Sequence, residues 1–136
     1  MYLCHSFLKN MDFLYEQRSG NFYLADIEDG RALVACGYSG KGQSRNNPVH
    51  QDRQALGPLP CGVWRIHPAI THKRLGPIAI PLTQTKGETF GRSAFYIHGD
   101  NSRGDYSASS GCIILPRDVR TFVSRSGIGT LTVVPG

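Results

Sequence analysis

Short apolar segments separated by turn residues run along most of this chain. Asn21–Asp26 and residues 31–36 flank Asp29-Gly30, a dipeptide typical of tight turns, and together they predict a β-hairpin. Residues 63–67 alternate apolar and polar side chains, as a half-buried strand does, and Pro68 follows them. Further strands are predicted at 78–82, 94–98, 112–115 and 130–134, with the first of these limited by Pro81.

Helical spacing is clear in one place only. Val119, Phe122 and Val123 recur at intervals of three and four residues, which predicts a short helix over 117–126 that ends at Gly127. Residues 2–17 show a blurred version of the same spacing, and they predict either a short helix or an irregular arm. The predicted fold class is therefore mainly β, with one or two short helices.

Length and composition fit a single domain, 1–136, in which residues 1–19 are the possible N-terminal arm or short helix. A chain of 136 residues can bury a substantial core, and its 16 glycines and 8 prolines favour a turn-rich β fold. The formal net charge is +5, but the basic residues are scattered, so they indicate a solvated surface and no nucleic-acid partner.

Two side chains with the potential for nucleophilic catalysis stand at the ends of neighbouring predicted strands. His98 closes the segment Phe95–His98, and Cys112 opens the next one after a polar loop over 99–110. A thiol attacks as the thiolate, and an adjacent imidazole that takes its proton is the usual means of activation. The alternative is structural: Cys112 would be a core residue and His98 a satisfied partner.

The turn before Cys112 favours the catalytic hypothesis. Gly111 permits a sharp turn in which the N–H groups of Gly111 and Cys112 point at a developing oxyanion. Ser109 is predicted to hydrogen-bond within this turn, with Ser110 beside it, and Tyr96 shares a strand face with His98. Asp100 could orient His98 or hold the loop through a turn.

The segment from 37 to 54 is too long and polar for a tight turn. Loops of this length often carry sites, so Tyr38 and Asn47 could hold a substrate; turn chemistry is the equal alternative. The four cysteines show no CxxC spacing and the histidines are dispersed, so neither a metal nor another cofactor is predicted. Cys36 and Cys61 could form a disulfide or simply be buried thiols.

The segments 91–101 (Gly-Arg-Ser-Ala-Phe-Tyr-Ile-His-Gly-Asp-Asn) and 107–116 (Ser-Ala-Ser-Ser-Gly-Cys-Ile-Ile-Leu-Pro) resemble L,D-transpeptidases, and more narrowly the branch delivered as antibacterial type VI secretion effectors. The resemblance implies a mixed β-sandwich and a cysteine acyltransferase on peptidoglycan stem peptides, with Cys112 as nucleophile and His98 as base. It also implies support from Gly99, Ser109, Ser110 and Gly111, and a backbone carbonyl as the acceptor that orients His98. The family arginine two places after the cysteine is Ile114 here, so Arg117 or Arg120 is predicted to bind substrate charge, alongside Tyr38, Asn47, Tyr96 and Asp100.

The biological setting that the resemblance implies is that of a toxin. Its predicted partners are the stem peptide, a cognate immunity protein and a component of the secretion apparatus. The first residues lack a secretory pattern and no stretch reaches about 18 apolar residues, so we expect synthesis in the cytoplasm, delivery to the target-cell periplasm and no membrane insertion. A housekeeping L,D-transpeptidase, a cysteine hydrolase on another amide and a non-catalytic wall-binding module stay as alternatives.

Overall fold

A computed structural model describes residues 10–26 and 30–136 of the chain. Ten β-strands and one α-helix are assigned in these ranges. The strands are β1 (Met11–Glu16), β2 (Asn21–Asp26), β3 (Gly30–Cys36), β4 (Tyr38–Ser39), β5 (Gly62–Ile66), β6 (Ile70–His72), β7 (Gly76–Gly87), β8 (Phe95–His98), β9 (Ile113–Ile114) and β10 (Thr130–Val134); the helix is α1 (Arg117–Arg125). Two 3₁₀ turns, Gly42–Ser44 and Pro48–His50, interrupt the long polar loop.

The strands form one mixed sheet in the order β3-β2-β1-β10-β5-β7-β8-β9-β4, with β6 paired to β7. The pairs β1–β10 and β8–β9 are parallel, and the other pairs are antiparallel. The mainly β class predicted from the sequence is confirmed. So is the β2–β3 hairpin, whose turn residues 27–29 lie outside the described residues.

Two expectations for individual elements are wrong. Within the predicted helix or arm, residues 11–16 form strand β1 with every second side chain buried, while residues 1–9 lie outside the described residues. Pro81 does not end its strand, since β7 continues to Gly87. A proline lacks only the backbone donor, and the Pro81 carbonyl still accepts a hydrogen bond from His67 N–H at 3.0 Å.

The core lies between the sheet and α1, and aromatic rings fill much of it. Phe13 stacks on Phe22 with 5.0 Å between centroids, and it meets Phe122 of α1 edge-on at 6.0 Å. Trp64 on β5 packs edge-on against Phe95 on β8 at 5.0 Å, so the strand that carries His98 is anchored directly to the core. No helix in the described ranges is long and apolar enough to cross a membrane.

Candidate active site

His98 and Cys112 are brought together by the parallel pairing of β8 and β9. Ile97 pairs with Ile113 and His98 with Ile114, which places Cys112 next to Tyr96 at the start of β9. Because side chains alternate along a strand, Tyr96 and His98 share the face opposite the fully buried Ile97. Tyr96, His98 and Cys112, together with Ser110, line one cavity of about 420 Å³.

The hydrogen bond of the His98 ring fixes the tautomer needed for a base. Its Nδ1 lies 2.9 Å from the Gly99 carbonyl oxygen, which can only accept, so Nδ1 carries the proton and Nε2 keeps a free lone pair. Burial lowers the pKa of His98, and the nearby Arg120 charge adds to the effect, although the Gly99 bond and Asp100 oppose it. The ring is therefore neutral at pH 7. The backbone carbonyl, preferred over Asp100 from the sequence, is the orienting acceptor.

The thiol of Cys112 is not a preformed thiolate. Cys112 is only 8% exposed, and this burial raises the pKa of its thiol to about 11, against the opposing effects of Tyr96 N–H and the Arg92 charge. No hydrogen bond joins Sγ to His98 among the described residues. Desolvation of the thiol therefore outweighs the effects that stabilise its charged form.

Ser109 holds the turn that presents Cys112. Its fully buried hydroxyl donates to the Cys112 carbonyl (2.6 Å) and accepts from the N–H groups of Gly40 (2.8 Å) and Gly111 (3.2 Å). Gly111 has φ +137, and a Cβ there would lie 2.4 Å from the Arg92 guanidinium, so only glycine fits. Since the Gly111 N–H is engaged by Ser109, the sequence expectation that it serves an oxyanion is wrong; the Cys112 N–H is the remaining candidate.

Other residues predicted to bind substrate line a different cavity. Tyr38, Asp100, Arg117 and Arg120 border a space of about 610 Å³ without Cys112 or His98. The Arg120 guanidinium is buried and donates to the carbonyls of Leu115, Pro77 and Ile78, and a Cβ at Gly99 would lie 2.7 Å from it, so it is a structural residue. The structure thus does not bring Arg117 or Arg120 to the thiol in place of the arginine absent at Ile114.

Tyr38, Asp100 and Asn47 have local partners. The Tyr38 hydroxyl donates to Asp100 Oδ1 at 2.8 Å and accepts from Ala108 N–H at 3.3 Å, so it ties together both ends of the 99–110 loop. Asn47 Oδ1 accepts from Val49 N–H at 3.1 Å and caps the 3₁₀ turn Pro48–His50. For Asn47 the structure favours turn chemistry over substrate binding.

Three residues of the cavity were missed as site residues in the sequence. Arg92 is buried, and its guanidinium donates to the carbonyls of Gln51, Gly57, Pro58 and Ser110. His72 and Arg74 line the wall beyond Tyr96. Only Arg92 had a usable signal, since it belongs to the Gly-Arg-Ser-Ala segment directly before β8. Ala94, with φ +62, and Ala55, with φ +59, add strained backbone to the same wall.

The remaining predictions about cysteines and metals concern residues outside this cavity. Cys36 and Cys61 are both free thiols, the first exposed and the second half-buried, so neither a disulfide nor complete burial describes the pair. Among the described residues no group of three or more His, Cys, Asp or Glu is arranged to hold a metal ion.

A mixed sheet with one short helix in the described ranges, and a cysteine and a histidine on parallel strands that line one cavity, is the arrangement of an L,D-transpeptidase-like domain. Residues 34–134 match the Tlde1 domain, and the chain belongs to this family of type VI secretion L,D-transpeptidase effectors.

Solved structures show the same fold at low identity. A mutant of the Enterococcus faecium L,D-transpeptidase has a TM-score of 0.59 and 15% identity, over 93% of this chain and 50% of the other. Bdellovibrio bacteriovorus Bd1075 has a TM-score of 0.57 and 14% identity, over 93% and 48%. This chain thus spans about half the length of these structures. No curated protein sequence matches it.

Proposed function

We propose that this protein is a cysteine acyltransferase that removes or exchanges the terminal D-alanine of peptidoglycan tetrapeptide stems. The observation that carries the proposal is the cavity shared by Cys112 and His98, with the His98 Nδ1 proton fixed on the Gly99 carbonyl. That bond leaves Nε2 free to accept a proton, which is the role a general base requires. Family membership supplies the substrate class.

The Cys112 thiol and the His98 imidazole are both neutral in the resting protein. This favours a mechanism in which the proton moves during attack over one with a preformed thiolate–imidazolium pair. Because burial raises the pKa of the Cys112 thiol to about 11, the thiol keeps its proton at pH 7. His98 Nε2 therefore takes the thiol proton as the sulfur bonds to the carbonyl carbon of the third stem residue. The Cys112 N–H then stabilises the resulting oxyanion in this proposal.

Collapse of this intermediate breaks the carbon–nitrogen bond, and His98 returns the proton to the departing amine of D-alanine. A thioester on Cys112 results. Attack by water then gives the tripeptide and free enzyme, which is carboxypeptidase activity. Attack by an amine, from a free D-amino acid or another stem, gives exchange or cross-linking.

The test is incubation of the purified protein with disaccharide tetrapeptide, with release of D-alanine and the mass of the acyl-enzyme as readouts. We expect turnover and a thioester adduct, both lost in Cys112→Ala. Undiminished turnover by Cys112→Ala would refute the nucleophile assignment. No turnover, with wall binding equal in both proteins, would favour a non-catalytic module; labelling of Cys112 by other activated amides alone would favour a different hydrolase.

We also propose that the activity is directed against other bacteria. Membership of an effector family supports delivery by a secretion apparatus into the periplasm of a target cell, where stem peptides are accessible. A producer of such an enzyme needs a protective partner. The 99–110 loop forms one wall of the groove next to His98 and is largely exposed, so an immunity protein that covers it would block access to Cys112.

A further inference from the structure

Two arginines line the Cys112 cavity, and they differ in what their guanidinium groups contact. The group of Arg92 is saturated by four backbone carbonyls, so it has little capacity left for a ligand. Arg74 is exposed, and no described residue hydrogen-bonds to or pairs with its guanidinium. It lies where the Cys112 cavity meets a second one of about 600 Å³, which also contains His98. Arg74 is thus the arginine of the Cys112 cavity with its donors available.

The turn that carries Arg74 is built around His72. Nδ1 of His72 accepts hydrogen bonds from the backbone N–H groups of Arg74 (3.1 Å) and Leu75 (3.2 Å). An Nδ1 that accepts is unprotonated, so the neutral ring carries its proton on Nε2. The ring packs edge-on against Tyr96, with centroids 5.2 Å apart, and Tyr96 lies beside Cys112. His72 therefore fixes the Arg74 backbone and adds a second donor to the same wall.

We propose that Arg74, supported by His72, binds the terminal carboxylate of the substrate and so makes the enzyme specific for a free C-terminus. This inference rests on the proposed function. In a tetrapeptide stem the carboxylate belongs to the residue directly after the scissile carbonyl, and consecutive Cα atoms are only about 3.8 Å apart. A group that binds it must thus line the Cys112 cavity itself, where a guanidinium can pair with both carboxylate oxygens.

The other arginines near the site are poorly placed to bind the substrate carboxylate. Ile114 is buried where the resemblance expects an arginine. Arg117 and Arg120 border the other cavity, and Nε and Nη1 of Arg120 donate to three backbone carbonyls. Arg103 lines the neighbouring space of about 600 Å³ but not the Cys112 cavity, which makes it a useful comparison.

The experiment compares two substrates that differ only at the C-terminus, disaccharide tetrapeptides ending in D-alanine or in D-alanine amide. For the wild-type protein we expect kcat/KM for the acid to exceed that for the amide by about ten- to a hundredfold, the range of hydrogen bonds to a charged group. Arg74→Ala should lower the value for the acid so that the ratio of acid to amide falls to near one. Lys73→Ala, an equal loss of charge in the same turn, should keep the preference.

His72→Asn distinguishes the two roles of His72, the Nε2–H donor and the support of the turn. An asparagine side chain removes the ring donor but can still accept the backbone N–H two residues further on. It should reduce the preference for the acid while the melting temperature stays near that of Lys73→Ala. Equal rates on both substrates for the wild-type protein would overturn the inference while leaving the proposed function intact. So would loss of the preference in Arg103→Ala in place of Arg74→Ala. Absence of turnover on both substrates would overturn the proposed function and this inference with it.

Discussion

Cys112 and His98 are both neutral at pH 7, and burial is the main reason for each. The same loss of water that holds the thiol proton on sulfur keeps the imidazole free to accept it. A paired thiolate and imidazolium would instead make Cys112 reactive toward any small electrophile. In the resting protein Cys112 is therefore expected to react poorly with small electrophiles. It becomes a nucleophile when a bound substrate places its carbonyl carbon next to the sulfur and the thiol proton moves to His98.

Alkylation measures this difference directly. We expect the rate at which iodoacetamide labels Cys112 to keep rising with pH toward about 11, because only the thiolate reacts. Peptide mass spectrometry resolves Cys112 from the exposed Cys36, which serves as the internal reference. His98→Ala should leave the profile nearly unchanged. A plateau below pH 8 that disappears in His98→Ala would instead indicate a preformed ion pair.

Ser109 and Ser110 are adjacent in sequence but differ in structural role. Ser109→Ala removes an acceptor for two N–H groups and a donor to the Cys112 carbonyl in a fully buried position. We expect a loss of about 2–3 kcal/mol in the free energy of unfolding, with reduced turnover. Ser110 is exposed, so Ser110→Ala should change stability by less than about 0.5 kcal/mol. Denaturant titration of both variants checks this; equal losses would contradict the assignment.

The 99–110 loop is held as a unit by a residue far away in sequence. Tyr38, on the short strand β4, bridges Asp100 and Ala108, and burial together with the hydrogen bond to Asp100 raises its pKa well above the usual range. The ring also meets Tyr106 of the loop edge-on at 5.2 Å. The loop wall beside His98 therefore depends on strand β4.

Removal of the Tyr38 hydroxyl should loosen this loop without unfolding the sheet. We expect Tyr38→Phe to speed hydrogen exchange of the amides of Asn101–Ser107 and to cost about 1 kcal/mol, the net value of a hydrogen bond. Tyr106→Phe is the matched control, since its hydroxyl has no hydrogen-bond partner among the described residues. Unchanged exchange in Tyr38→Phe would show that the loop is held by its internal turns alone.

Periodicity predicted the elements whose neighbours along the chain are also their neighbours in space. The β2–β3 hairpin and α1, with Gly127 at its C-terminal end, are where the pattern placed them. Strand β1 was missed because its parallel partner β10 lies more than 100 residues further along the sequence. Local periodicity does not record a pairing over that distance. The site divides in the same way. The pair Cys112–His98 follows from one motif, whereas Arg92, His72 and Arg74 reach the cavity through long-range packing.

For the whole protein, the proposed toxicity depends on the compartment that the folded domain reaches. Expression in a bacterial host with an added export signal should cause lysis or growth arrest, because stem peptides are exposed in the periplasm. Without the signal, growth should be normal. Exported Cys112→Ala controls for the burden of export, and equal growth with exported, folded wild-type protein would reject the toxin proposal.

The central position of β10 has a consequence for how the chain folds. β10 lies between β1 and β5, so it joins the β3-β2-β1 part of the sheet to the part that carries His98 and Cys112. Contacts between Phe13 and Leu131 or Glu16 and Val134 close very large loops, and such high contact order slows folding. During synthesis the two parts stay unjoined until Val134 has left the ribosome. Until β10 is available, we expect the edges of β1 and β5 to be exposed in the nascent chain, where unpaired strand edges favour aggregation.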